Sequence, residues 1–141
     1  MSNTKHKHII LYAEDDPDDL FMVQQAFEKF DDSIELVHAS NGFEAIQKLN
    51  HYHSQHNLPC LVILDINMPG MDGKETLIRI RQSEVFHKIT VVLFTTSSSD
   101  SDKSFANKWG AEFITKPLVY SELEVLAKEF LNFCTSAVSH V

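Results

Sequence analysis

The sequence predicts an α/β fold in which helices cover both faces of a parallel five-stranded sheet. Short apolar runs alternate with segments of helical periodicity, and this alternation is typical of a parallel sheet. The five runs lie at 9–13, 34–37, 61–64, 91–94 and 113–114. The third and fourth runs are the most uniformly apolar, so we expect them to form central strands that are covered on both faces.

The first two helices are predicted from apolar spacing and from residues that begin helices. In the first helix, Asp16 is a candidate N-terminal cap, and Pro17 lies where a first turn tolerates proline. Its apolar stripe consists of Leu20, Val23, Phe27 and Phe30. The turn dipeptide Asn41-Gly42 precedes the second helix, which is expected to end in a polar loop at 51–57.

The remaining helices differ in how strongly their sequences favour packing against a core. The third and fourth, near 74–81 and 102–109, have weak apolar stripes. The last helix is more clearly amphipathic, and its apolar face consists of Leu123, Leu126, Ala127, Phe130 and Cys134. Weakly anchored helices can shift at low cost, so we expect the third and fourth helices to be the adaptable ones.

Length and charge narrow the possible functions. A chain of 141 residues allows one well-packed domain, so we expect a single domain over 1–141, with a core at about 7–133 and no output domain. The net charge of -8 argues against direct nucleic-acid binding, which requires clustered Lys and Arg. The only apolar run near the N-terminus, 9–13, is too short for a membrane span or signal-peptide core, and a cytoplasmic location is expected.

The cysteines and the central histidines suggest no metal site. Cys60 and Cys134 are far apart and form no C-x-x-C motif, so neither a disulfide framework nor a zinc site is predicted, and a reducing compartment fits best. His51, His53 and His56 have loose spacing within the predicted loop. A solvated loop is therefore favoured over a metal site for them.

The flavodoxin-like strand order 2-1-3-4-5 is one of the two common solutions for such a doubly wound fold. Ligands then bind beyond the carboxyl ends of the strands, where the chain reverses direction between the first and third strands. Polar residues suited to phosphate chemistry follow four strands at this edge: Glu14-Asp15-Asp16, Asp65, Thr95-Thr96 and Lys116. Converging carboxylates repel one another, and a hard divalent cation such as Mg²⁺ makes the arrangement tolerable.

Each of these residues also has a purely structural interpretation. Asp16 serves equally well as a helix cap, threonine at the end of a strand is a good β former, and a Lys-Pro pair is common in solvated turns. Taken singly, Thr95 and Lys116 prove little. Glu14 and Asp15 favour the functional interpretation because Asp65 and Lys116 are expected at the same edge.

Five motifs, in order and spacing, resemble the receiver domains of two-component response regulators over nearly the whole chain. They are Ile10-Leu-Tyr-Ala-Glu-Asp-Asp-Pro17, Asn41-Gly-Phe-Glu-Ala-Ile46, Leu61-Val-Ile-Leu-Asp-Ile-Asn-Met-Pro-Gly-Met-Asp-Gly73, Val92-Leu-Phe-Thr-Thr96 and Gly110-Ala-Glu-Phe-Ile-Thr-Lys-Pro117. The third motif is highly specific. The chain looks most similar to the single-domain type associated with phytochrome-like or hybrid sensor kinases.

The resemblance implies a phosphoacceptor switch of a two-component phosphorelay. Asp65 would take a phosphoryl group from a phosphohistidine on a sensor histidine kinase or a histidine phosphotransfer protein. Mg²⁺ would be held by Glu14, Asp15, Asp65 and the backbone carbonyl of Asn67, with Glu14 acting directly or through water. Lys116 would neutralise phosphoryl oxygen charge.

The resemblance also implies how the signal leaves the site. Thr95 would donate a hydrogen bond to the phosphoryl group, and the ring of Phe113 would turn into the space that Thr95 vacates. Thr96, bulkier than the residue often found at its position, would shield the acyl phosphate from water. Output would be by protein–protein interaction through the surface of the fourth helix, fifth strand and fifth helix, and a homodimer through this surface is compatible with the family.

Other functions are weighed against this one. A phosphorelay intermediate and a phosphate sink share the same site. A haloacid-dehalogenase-type phosphatase needs a second acid two residues after its nucleophile, and Asn67 occupies that position. We therefore expect no turnover enzyme, only self-phosphorylation and slow autodephosphorylation. A pseudo-receiver would not need the full set of acids, hydroxyl and amine, and Glu14-Asp15-Asp16 is unsuited to the phosphate loop of a flavodoxin.

Overall fold

The computed structural model describes residues 8–30 and 34–139, and the side chains of 8–30 and 34–134. Its strands are β1 (His8–Ala13), β2 (Ile34–Ala39), β3 (Leu61–Leu64), β4 (Val91–Thr95) and β5 (Glu112–Thr115). All neighbouring strands are parallel, in the order β2-β1-β3-β4-β5, which confirms the predicted fold class and strand order. The predicted start of the core at Lys7 lies outside the described residues.

Five helices connect and follow the strands. They are α1 (Pro17–Glu28), α2 (Gly42–Ser54), α3 (Gly73–Gln82), α4 (Asp100–Lys108) and α5 (Tyr120–Ser139). The side chain of Asp16 caps α1 by accepting a hydrogen bond from the backbone N–H of Asp18, as the cap interpretation predicts. The prediction of a loop from residue 51 was wrong by one helical turn, because Tyr52 packs against the same core as Leu49 and extends α2.

Alternating residues of each strand point to opposite faces of the sheet and build two cores. On one face, Leu11 and Leu64 pack with residues of α2, α3 and α4. On the other face, Ile10 and Ile63 pack with residues of α1 and α5. All four residues of β3 are buried, which agrees with the prediction of a central strand.

Cys60 and Cys134 form a disulfide, so the prediction that neither belongs to one was wrong. Cys60 lies just before β3, and Cys134 is on the buried face of α5. The helix runs back across the sheet and brings the two Cα atoms to 5.0 Å although 74 positions separate them in sequence. Spacing alone could not show this pairing, and the argument for a reducing compartment loses its basis.

Within the described residues, no helix is both long enough and apolar enough to cross a membrane.

Candidate functional site

Three of the predicted site residues, at the carboxyl edge of the sheet, are each held by a backbone hydrogen bond that continues the strand pairing. Glu14 donates its N–H to Ala39, and Asp65 donates its N–H to the carbonyl of Ala13 at 3.1 Å. Lys116 donates its N–H to Thr95 at 2.7 Å. The backbone positions of Glu14, Asp65 and Lys116 are therefore fixed by the sheet itself.

Three acidic side chains form a cluster at this edge. Glu14, Asp15 and Asp65 each offer one carboxylate oxygen, and the three oxygens lie within 4.8 Å of one another. Glu14 and Asp65 are 1% and 6% exposed, whereas Asp15 is exposed. An all-oxygen set that is partly open to solvent suits a hard divalent cation, so the residues present fit Mg²⁺.

The ammonium group of Lys116 is surrounded by carboxylates. Its Nζ lies 2.7 Å from Oε1 of Glu14, 2.8 Å from Oδ2 of Asp19 and 3.5 Å from Oδ2 of Asp65. Burial alone would lower the pKa of Lys116, but the hydrogen bonds to Asp19 and Glu14 and the charge of Asp65 raise it above its ordinary value. Lys116 is thus a permanent cation beside the acid cluster.

Asp65 has a pKa that its surroundings raise to about 7. Burial is the main cause, and the charge of Glu14 adds to it, while Lys116 opposes both. A carboxylate must be ionised to act as a nucleophile. A bound cation would favour the ionised form of this carboxylate.

Glu14 is held by more partners than sequence reasoning anticipated. The hydroxyl of Tyr12 donates to Oε1 of Glu14 at 2.8 Å, and the N–H of Asp16 donates to Oε2 at 3.2 Å. Nε2 of His38 lies 2.6 Å from the backbone carbonyl of Glu14, which makes it the donor. Tyr12 was predicted only as part of an apolar strand, although residues 12 and 14 share a face of that strand by the two-residue period.

The loop after Asp65 explains the specific motif at 68–73. Gly70 has a φ of 73°, the left-handed conformation that glycine adopts without strain. At Gly73 a Cβ atom would overlap the backbone carbonyl of Asp65, so only glycine permits this approach. Asp72 caps α3 by accepting the N–H of Glu75 at 2.9 Å. The motif thereby fixes the backbone that carries Asp65.

The other predicted residues lie at or near the same edge, in different environments. Thr95 is buried, and its hydroxyl accepts the N–H of Ser97 at 3.2 Å. Thr96 is exposed. The N–H of Asn67 lies 3.4 Å from Oδ1 of Asp65. Phe113 is partly buried against the core beneath α2, α3 and α4.

The histidines singled out in the sequence are not at this site. His51 and His53 lie on the exposed side of α2, and His56 follows the helix. His53 makes an edge contact with the ring of Phe86. Among the described side chains they form no group that could hold a metal ion.

Comparisons with known proteins agree on one family. The model of the response regulator receiver domain matches residues 10–128. The chain is 31% identical over 128 residues to the "Probable methanogenesis regulatory protein FilR2" of Methanothrix harundinacea, covering 89% of this chain and 82% of that one. The chain spans only 51% of the response regulator Rre1 of Synechocystis, to which it is 33% identical.

Solved structures show the same similarity. The phosphorylated cyanobacterial phytochrome response regulator RcpA superposes with a TM-score of 0.82 at 28% identity, covering 92% of this chain and 95% of that one. The Mn²⁺-bound form of the response regulator Rcp1 superposes with a TM-score of 0.76 at 26% identity, covering 89% and 93%. The chain therefore belongs to the receiver domain family of two-component response regulators, which are phosphorylation-based signalling switches.

Proposed function

We propose that Asp65 is the phosphoacceptor of this receiver domain and that it reacts when Mg²⁺ is bound. One observation carries the proposal: three carboxylate oxygens, from Glu14, Asp15 and Asp65, lie within 4.8 Å of one another beside the Lys116 ammonium. The acids, together with the backbone carbonyl of Asn67, would hold the cation. Once bound, it would offset charge on the phosphoryl oxygens and on the acids themselves.

The chain's own residues would mainly position the reacting groups and neutralise charge on the phosphoryl oxygens. An Asp65 oxygen forms a bond to phosphorus as the bond between phosphorus and the donor nitrogen breaks, and the histidine nitrogen of the donor takes up a proton. Phosphoryl transfer has a loose transition state with charge spread over the oxygens. The ammonium group of Lys116 already lies 3.5 Å from Asp65, so it can stabilise that charge without first changing its position.

The switch proposed here begins at Thr95. Its hydroxyl now accepts a hydrogen bond from the N–H of Ser97. Donation to a phosphoryl oxygen would draw Thr95 toward Asp65 and exchange that contact for a stronger, charge-assisted one. Phe113, partly buried on the neighbouring strand, would move into the vacated space and alter the surface formed by α4, β5 and α5.

Thr96 is proposed to shield the acyl phosphate. It is exposed at the end of β4, next to Thr95, where a larger side chain can hinder an attacking water. We expect the Thr96→Ala variant to lose its phosphoryl group faster than the natural protein. A radiolabel chase measures this, and an unchanged decay rate would refute the role.

The proposed partner is a sensor histidine kinase or a histidine phosphotransfer protein, and the proposed location is the cytoplasm, where such partners draw on ATP. The 141-residue chain would act as a single receiver domain, passing on the signal by binding another protein or a second copy of itself. A relay intermediate and a phosphate sink use the same chemistry. Turnover as a phosphatase is disfavoured because Asn67 cannot act as an acid.

The test is incubation with Mg²⁺ and acetyl phosphate followed by intact-mass measurement. We expect the natural protein to gain the mass of one phosphoryl group and Asp65→Asn to gain none. Addition of a chelator should also prevent the gain in the natural protein. If neither protein gains mass, the proposed function is wrong.

A further inference from the structure

Tyr12 is a buried polar side chain that the phosphoacceptor chemistry described above does not use. It is fully buried on the face of the sheet covered by α1 and α5, and its ring lies 6.4 Å from that of Phe94. Its hydroxyl reaches the carboxyl edge and donates to Oε1 of Glu14 at 2.8 Å. An apolar aromatic residue would fill the same space without making this bond.

The hydroxyl of Tyr12 can act only as a donor to Glu14. A tyrosine hydroxyl is protonated at neutral pH, so it has a proton to donate to Oε1 of Glu14, 2.8 Å away. A carboxylate accepts and cannot donate, so the direction of the bond is fixed while Glu14 is ionised. The bond is charge-assisted and buried, the combination in which a hydrogen bond contributes most.

Three donors together fix both oxygens of Glu14. Tyr12 and Lys116 bind Oε1 at 2.8 and 2.7 Å, and the N–H of Asp16 binds Oε2 at 3.2 Å. Lys116 is shared with Asp19 and Asp65 and also has to serve an incoming phosphoryl group. Of the two donors to Oε1, Lys116 is shared with the other acids, whereas the hydroxyl of Tyr12 bonds to Glu14 alone among them.

We propose that Tyr12 is a positioning residue of the metal site, whose hydroxyl orients Glu14 and thereby sets the affinity of the acid cluster for divalent cations. The inference rests on the proposed function, since it assigns Glu14 to a cation. Groups that hydrogen-bond to metal ligands typically change metal affinity by about 10- to 100-fold when removed, because the ligand must then be oriented during binding. Tyr12 would act through Glu14, without touching the cation.

The test is Tyr12→Phe, which removes the hydroxyl and keeps the ring that packs on Phe94. Isothermal titration of the full chain with Mg²⁺ should give a dissociation constant about 10-fold higher than in the natural protein. With acetyl phosphate, the Mg²⁺ concentration for half-maximal phosphorylation should rise by the same factor, whereas the rate at saturating Mg²⁺ stays within about twofold. The matched control is Tyr52→Phe, which removes the hydroxyl of a partly buried tyrosine on α2. This variant should bind Mg²⁺ with the affinity of the natural protein.

A double-mutant cycle separates a positioning role from a structural one. If Tyr12 acts through Glu14, then Tyr12→Phe has no further effect on Mg²⁺ affinity once Glu14→Gln is present. An unchanged dissociation constant in Tyr12→Phe, or an equal loss in the Glu14→Gln background, overturns the inference and leaves the proposed function intact. Absence of both Mg²⁺ binding and phosphorylation in the natural protein would overturn the proposed function, and the inference with it.

Discussion

The two helices that flank β5 are held in the structure by different kinds of interaction. The described buried side chains of α5 are Leu123, Ala127, Phe130 and Cys134, and they follow helical spacing along one face. Phe130 packs between Phe27 and Phe94, with ring centroids 6.1 and 5.5 Å away. The disulfide then joins the helix to the start of β3. Helix α5 is therefore fixed mainly by apolar and covalent contacts, to which the more exposed ion pair between Lys29 and Glu124 adds little.

Helix α4 buries Ala106 and relies otherwise on partly buried rings and polar contacts. Its first turn is tied to α3 by an ion pair between Lys74 and Asp102, and Ser97 donates to the same aspartate at 2.7 Å. At its other end, Arg81 donates to the carbonyls of Trp109 and Gly110 at 2.8 and 2.9 Å.

This difference suggests how one domain combines a rigid frame with a responsive surface. Apolar and covalent contacts do not depend on the charge at the acid cluster, whereas ion pairs and hydrogen bonds do. An ion pair or hydrogen bond near the surface can be broken at a small net cost in free energy, because its groups can find new partners or be solvated. We therefore expect α4 and the loop before it to adapt more readily than α5.

The largest effect is expected where the fixed region is disrupted. Phe130→Ala should lower the free energy of unfolding by about 3–5 kcal/mol, because a fully buried ring between two others leaves a cavity. Denaturant titration followed by circular dichroism measures it. Phe21→Ala, at a side chain that is 58% exposed on α1, is the control and should cost far less. Equal losses in the two variants would contradict the description of α5 as the frame.

The disulfide should have the next largest effect. Reduction of the bond between Cys60 and Cys134 is expected to lower the free energy of unfolding by about 2–4 kcal/mol, because the link closes a long loop in the unfolded chain. The measurement is denaturation with and without dithiothreitol. A variant with both Cys60→Ala and Cys134→Ala serves as the control, since reductant should not change its stability. A natural protein insensitive to reductant would show that the bond does not support α5.

At the acid cluster, stability should depend on pH. The pKa of Asp65 is raised from 3.8 to about 7 in the folded protein, so folding favours its protonated form. This contribution is complete below pH 3.8 and is lost as the pH rises to about 7. At about 1.4 kcal/mol per pKa unit the full shift corresponds to about 4 kcal/mol. Solvent at the open side of the site screens part of this, so at pH 8 Asp65→Asn should be more stable than the natural protein by on the order of 2 kcal/mol.

The matched control for this prediction is Glu112→Gln, at an exposed carboxylate on β5. Thermal unfolding between pH 4 and pH 8 should show the difference from the natural protein growing with pH for Asp65→Asn and staying small for Glu112→Gln. Mg²⁺ should stabilise the natural protein more than Asp65→Asn. If the difference in stability between Asp65→Asn and the natural protein does not change with pH, then ionisation of Asp65 does not destabilise the fold.

The smallest effect on stability is expected at α4. Lys74→Ala removes the ion pair to Asp102 and the contact of the Lys74 ammonium with the Phe105 ring, 5.2 Å from its centroid. Both partners are partly solvated, so we expect a loss of about 0.5–1 kcal/mol. Hydrogen exchange should nevertheless become faster in α4 and not in α5. Lys103→Ala, at an exposed position of α4, should leave exchange unchanged, and uniform acceleration in both helices would contradict the account.

The features that sequence reasoning predicted are those encoded locally. The cap at Asp16, the buried run of β3 and the apolar face of α5 each follow from residues within one or two turns. The acids and Lys116 were predicted to lie together because parallel strands end at a common edge, and their chemistry was predicted from the family motifs.

Two of the features that were missed depend on contacts between distant parts of the chain. Asp19, in the first turn of α1, meets Lys116 from 97 positions away in sequence, and Cys134 meets Cys60 from 74 positions away. Tyr12 looked like any strand residue, since its polar atom finds its partner at the end of its own strand. Burial of polar atoms cannot be deduced from composition, although it decides which residues tune the site.

The central claim is that Asp65 carries the phosphoryl group, and borohydride trapping tests it most directly. Borohydride reduces an aspartyl phosphate to homoserine, so the position of homoserine in peptides from the phosphorylated protein identifies the acceptor. We predict homoserine at position 65, dependent on Mg²⁺ and absent without acetyl phosphate. Homoserine at Asp15 or Asp16, or none in a protein that has gained phosphoryl mass, would contradict the account.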